Sequence, residues 1–86
     1  MKKIIYFYLQ FCPYCRQADK FLEEVISENE EFKKLEIVRI NEAKESKIAN
    51  SYDYYYVPCF WIGDTKVHEG TITKEKVKEI LLMALK

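Results

Sequence analysis

The chain has 86 residues, 49% of them apolar, with 14 basic and 14 acidic side chains and a formal net charge of zero. That supports one small domain, 1–86, with a single core, and nothing in the charge balance points to nucleic acid or an anionic membrane as a partner. No apolar run approaches the roughly 18 residues that span a bilayer, and the short run after Met1-Lys2-Lys3 lacks a small-residue cleavage site, so a soluble cytoplasmic monomer is expected.

Residues 4–9, IIYFYL, are continuously apolar and rich in β-branched and aromatic side chains, which predicts a strand buried on both faces and therefore central. From Pro13 the period changes. Ala18, Phe21, Leu22, Val25 and Ile26 share one helical face, and charged residues take the other, down to about Asn29. Proline is welcome in the first turn of such a helix. Residues 35–40, LEIVRI, predict a second strand. A short helix follows over about 43–52, with Ile48, Ala49 and Tyr52 on one side. Residues 58–62, PCFWI, predict a third strand, and Gly63-Asp64 a turn into a fourth that runs through Val67 and ends by Gly70. Thr73 can cap a last helix that buries Val77, Ile80, Leu81, Ala84 and Leu85. The order β-α-β-α-β-β-α implies an α/β domain. Its first two strands are parallel through a right-handed crossover, its last two form an antiparallel hairpin, and helices flank the four-stranded mixed sheet.

Cys12 and Cys15 lie where the first strand hands over to the first helix. Sites in open α/β sheets are built at the carboxyl ends of strands. A helix N-terminus offers free N–H groups and a favourable dipole to an anion, and the thiolate is the form that attacks disulfides. Cys15 lies one helical turn on, close enough to close a disulfide, and is expected to be the more buried of the two. A structural zinc site would need four ligands, usually as two spaced pairs. Only one C-x-x-C is present, beside a lone Cys59 and a lone His68, and no metal site is expected. A C-x-x-C with a βαβ pattern in a reducing compartment reads as a redox motif.

The stretch FCPYC resembles the active-site motif of glutaredoxins, and YYVPCFWI resembles the Val-Pro that opens the third strand of glutaredoxins and thioredoxins. The resemblance runs over essentially the whole chain and implies the small thioredoxin-like fold. It implies a thiol–disulfide oxidoreductase in which Cys12 is the nucleophile and Cys15 the resolving cysteine. It also implies that Pro58 follows a cis peptide bond beside the disulfide. Val57 would then offer its backbone to an extended substrate, and Tyr14 would line the groove. No bound cofactor is required. Substrates would be disulfides of proteins or small molecules, and the electron donor either glutathione or a flavoprotein reductase.

The chain departs from the family at the recognition loops. Glutathione-binding glutaredoxins usually carry a lysine shortly before the first cysteine, where this chain has Leu9, Gln10 and Phe11. They also carry a Gly-Gly pair before the last helix, where this chain has Gly70-Thr71. Thioredoxins place Gly-Pro between the cysteines and a carboxylate on the central strand, and IIYFYL has none. A second reading is a relative that bridges an iron–sulfur cluster, against which Pro13 argues. A third is a binding module without catalysis, against which the intact CPYC argues. Cys59 reads as core packing, with a third redox thiol as the alternative. Tyr52, Tyr54, Tyr55 and Tyr56 read as packing at a strand entrance, or as a substrate rim. His68 reads as decoration on an edge strand.

Overall fold

The first strand, β1 (Ile4–Tyr8), buries Ile4, Ile5, Tyr6 and Phe7. Such a strand needs cover on both faces, and the computed structural model, which describes residues 1–86, provides it. The elements that follow are α1 (Pro13–Glu28), a 3₁₀ turn (Glu30–Lys34), β2 (Ile37–Asn41), α2 (Ser46–Asn50), β3 (Cys59–Ile62), β4 (Thr65–Glu69) and α3 (Lys74–Leu85). The sheet order is β2-β1-β3-β4, so β1 is central, parallel to β2 and antiparallel to β3, while β3 and β4 form an antiparallel hairpin. This is the small α/β thioredoxin-like fold that the sequence predicts. No helix is long and apolar enough to cross a membrane.

Strand side chains alternate between faces, and the two faces of β1 serve different layers. Ile4 and Tyr6 join Phe60 of β3 with Ala18, Leu22 and Val25 of α1 and Val77, Ile80, Leu81 and Ala84 of α3. Tyr6 and Phe60 stack with ring centroids 4.7 Å apart and planes 3° from parallel. Ile5 and Phe7 face the other way, with Ile40, Ala49 and Cys59. Tyr52 and Tyr54 close over Phe7 at centroid distances of 4.9 and 4.6 Å. Each large apolar side chain buried this way stabilises the fold by roughly 1.5–3 kcal/mol.

The last helix starts as expected: Thr73 is its N-cap, and its Oγ1 accepts the Lys76 N–H at 3.1 Å, an arrangement worth about 1 kcal/mol. Two boundaries differ. β2 begins at Ile37 rather than 35 because the 3₁₀ turn buries Phe32 and carries the chain through Leu35. α2 spans five residues rather than about ten. The Asn41 side chain accepts the N–H groups of Ala43 and Lys44, at 3.0 and 3.3 Å, and holds them in a turn instead of a helix. A helix that short turns only Ala49 inward, and Ile48, expected beside it, is exposed.

Candidate active site

Strand register decides which residues meet. Phe7 pairs with Cys59 across β1 and β3, Tyr8 with Asn41 across β1 and β2, and Cys59 with Glu69 across β3 and β4. One end of the sheet therefore collects the chain after β1, the chain after β2, the approach to β3 and the exit from β4. On it lie Leu9 to Cys12, Glu42 to Lys44, Tyr54 to Pro58, and Glu69 with Gly70.

Cys12 is the N-cap residue of α1, in extended conformation, and its side chain makes no capping hydrogen bond. Its thiol is partly exposed, whereas Cys15, on the first turn, is 1% exposed. The asymmetry follows from the helix. The N-cap stands at the rim, while position 15 shares the inward face with Ala18 and Leu22. Burial pushes the Cys15 thiol up to about 12, and the neighbouring Cys12 adds to the effect. The first turn is pinned to the sheet by Tyr6, whose buried hydroxyl donates to the Cys15 carbonyl at 3.1 Å. Behind it, Arg39 of β2 pairs with Asp19 of α1 at 3.0 Å and lies 5.8 Å from the Tyr6 ring centroid. Burial, with help from Asp19, holds the Tyr6 hydroxyl protonated far above the ordinary phenol range.

The Val57–Pro58 peptide is cis, and Pro58 is buried. Val57 is half-buried, and neither its N–H nor its C=O has a hydrogen-bond partner in the protein. A cavity of about 420 Å³ opens beside Cys12, between Leu9, Phe11 and the Asn41–Lys44 turn. A second, of about 460 Å³, continues from Leu9 and Ala43 to Glu42, Tyr52, Tyr54 and Tyr55. Tyr14 is exposed on the first turn of α1 and lines neither cavity. The tyrosine cluster divides: Tyr52 and Tyr54 pack on Phe7, and Tyr55 and Tyr56 project into solvent.

Cys59 is fully buried on the opposite face of the sheet from Cys15, among Ile5, Phe7, Ile40 and Ala49. That is a packing environment, on the other side of the sheet from Ala18 and Leu22, which share the inward face of α1 with Cys15. Burial pushes its thiol up to about 12. His68 lies on the edge strand with Nε2 2.8 Å from the Thr71 carbonyl oxygen. No three His, Cys, Asp or Glu side chains converge to hold a metal ion.

Sequence reasoning missed the Asn41–Lys44 wall of the groove and the two carboxylates, Glu42 and Glu69, that bind the Tyr54–Tyr56 segment. Asn41 ahead of a polar run was a readable turn signal. The glutamates carried no signal that separates them from solvated ones.

The thioredoxin domain family model matches residues 1–82. No curated protein matches the chain. Among solved structures it is similar to a thioredoxin-like protein from Clostridium perfringens, at 32% identity and a TM-score of 0.72, covering 100% of this chain and 73% of that one. It is also similar in fold to oxidised thioredoxin from Plasmodium falciparum, at 15% identity and TM-score 0.71, covering 96% and 80% of the two chains. Thioredoxin O2 from Arabidopsis thaliana matches at 16% identity and TM-score 0.62, covering 100% and 76%.

Proposed function

Because this chain belongs to the thioredoxin domain family, we propose that it is a thiol–disulfide oxidoreductase working through Cys12 and Cys15. The observation that carries this reading is the pairing of a partly exposed thiol at a helix N-cap, beside a groove, with a buried thiol one turn on. Cys12 attacks as the thiolate. A bond forms between its Sγ and one substrate sulfur, the substrate S–S bond breaks, and the departing sulfur takes up a proton. Cys15 then loses its proton and its sulfur attacks the Cys12 Sγ. The mixed disulfide breaks and the second substrate thiol leaves. The substrate has gained two electrons and two protons, and the protein holds a Cys12–Cys15 disulfide. Two molecules of glutathione, or the dithiol of a flavoprotein reductase, return the two electrons.

Burial explains the order of the two steps. A thiol held up to about 12 is almost wholly protonated near neutrality, so Cys15 does not compete for substrate. It acts once the mixed disulfide has been placed next to it, where proximity raises its effective concentration. Val57 supports a polypeptide substrate, since its free N–H and C=O can pair with an extended strand. The CPYC sequence favours the glutaredoxin side of the family, and the missing glycine pair and lysine favour a donor other than glutathione.

Cys15→Ser should accumulate a substrate adduct on Cys12, read by mass spectrometry, and Cys12→Ser should capture none. Adducts through Cys15 in Cys12→Ser would reverse the roles. Reduction of a model disulfide, driven in turn by glutathione with its reductase and by a thioredoxin reductase, identifies the donor class.

A further inference from the structure

The segment from Tyr54 to Pro58 crosses the active end of the sheet without belonging to it, yet its backbone is held at several points. The Tyr54 hydroxyl donates to Glu42 Oε1 at 2.6 Å. The N–H groups of Tyr55 and Tyr56 both donate to Glu69 Oε2, at 2.8 and 3.1 Å. The other oxygen of that carboxylate, Oε1, pairs with Lys66 Nζ at 2.7 Å. The Gly70 N–H donates to the Pro58 carbonyl at 2.9 Å. Val57 lies between these anchors with both of its backbone groups free.

The need for a carboxylate follows from the topology. β4 ends at Glu69, and the chain turns away at Gly70, whose φ is +89°. The N–H groups of residues 55 and 56 thus have no strand to pair with, and Glu69 stands in for the missing ladder. Side-chain packing does not hold this stretch, for Tyr55 is 83% and Tyr56 67% exposed. We propose that Glu69 is a positioning residue for substrate binding, its carboxylate fixing the Tyr55–Tyr56 backbone so that Val57 meets an extended polypeptide beside Cys12. This rests on the reading that Val57 pairs with substrate. The Lys66 ammonium, and then the two N–H groups, hold the Glu69 carboxyl well below the usual range, at about 2. It therefore stays ionised wherever thiolate chemistry runs.

The test is single-turnover mixing of the reduced protein with two substrates. One is a disulfide-linked pair of short peptides. The other is bis(2-hydroxyethyl) disulfide, which has no peptide backbone. Glu69→Ala should raise the half-saturating peptide concentration about five- to tenfold. The limiting rate and the rate with the hydroxyethyl disulfide should stay within about twofold of wild type. Glu69→Gln, which keeps an acceptor oxygen, should recover most of the loss. Amide hydrogen exchange should show Tyr55 and Tyr56 losing protection in Glu69→Ala and keeping most of it in Glu69→Gln. Unchanged protection of the β1 and β3 amides shows that the alanine variant keeps its fold and that the loss at residues 55 and 56 is local. Unchanged peptide half-saturation with both amides deprotected would overturn the proposal. So would an equal loss with both disulfides, which would place the effect at Cys12. A peptide N-methylated next to its cysteine separates the two readings. If wild type takes it as readily as the unmodified peptide, Val57 pairing fails, and the role of Glu69 fails with it. If wild type discriminates but Glu69→Ala does not alter peptide binding, only the role of Glu69 fails.

Discussion

Replacing Cys59 tests whether the third thiol is structural. Its side chain is 0% exposed and packed among Ile5, Phe7, Ile40 and Ala49. Cys59→Ser puts a hydroxyl among apolar side chains, which costs about 1–3 kcal/mol if it finds no partner. One donor stands on the same face two residues along: Trp61 Nε1, buried and without a partner. If the new hydroxyl accepts from it, about 0.5–1.5 kcal/mol is recovered. The net expectation for Cys59→Ser is a loss of about 1 kcal/mol, which for a domain of this size lowers the Tm by roughly 4–8 °C. Cys59→Ala removes the sulfur without adding a polar group, so its loss should reflect the lost packing and the lost contact with Trp61. Both variants should turn over disulfides at the wild-type rate at temperatures where they remain folded. Urea denaturation followed by circular dichroism measures the stabilities, and a disulfide-reduction assay measures the turnover. A folded Cys59→Ser protein without turnover, or a peptide cross-linked between Cys59 and either Cys12 or Cys15 after mild oxidation, would refute the reasoning.

Tyr6→Phe keeps the stack on Phe60 and removes only the hydroxyl that the Cys15 carbonyl accepts. It should cost about 1 kcal/mol, measured by urea denaturation. Iodoacetamide at neutral pH should label native protein once, at Cys12, because Cys15 and Cys59 are at most 1% exposed, and three times after unfolding; peptide mapping reads both. Cys15 and Cys59 are held up to about 12 against an ordinary thiol value of 9.0, and Tyr6 and Tyr54 are also raised. Between pH 9 and 12 the native state therefore binds more protons than the unfolded chain, and stability falls as pH rises. Urea midpoints should drop progressively above pH 9, and less steeply in a Cys15→Ser, Cys59→Ser double variant. A flat profile would mean that these groups ionise in the native state as they do in the unfolded one.

The parts of this molecule that were legible in the sequence are those set by local periodicity. The spacing of Ala18, Leu22 and Val25 marks α1, and the unbroken apolar run of β1 marks a central strand. Cys12 and Cys15 could be placed because a helix start fixes which of two residues three apart stands at the rim and which turns inward. What escaped depends on register. Glu42 and Glu69 are 27 residues apart, and nothing in their surroundings distinguishes them from exposed glutamates. They meet over Tyr54–Tyr56 only because Tyr8 pairs with Asn41, and Cys59 with both Phe7 and Glu69.

Proximity in the chain misleads in the opposite direction at Cys59. It adjoins Pro58 at the end of the sheet that carries Cys12, yet the two-residue period of β3 sends Phe60 toward Tyr6 and α1, and Cys59 toward Phe7 and α2. A one-residue slip of β3 would exchange those two side chains and turn Cys59 to the face that α1 covers. The slip is opposed at both: Phe60 would lose its stack on Tyr6, and Cys59 would leave a gap under Phe7. The aromatic packing that holds β3 in register therefore also keeps the third thiol on the face away from α1 and Cys15. Weakening that packing at Phe60 would loosen this separation of the thiols as well as destabilise the fold.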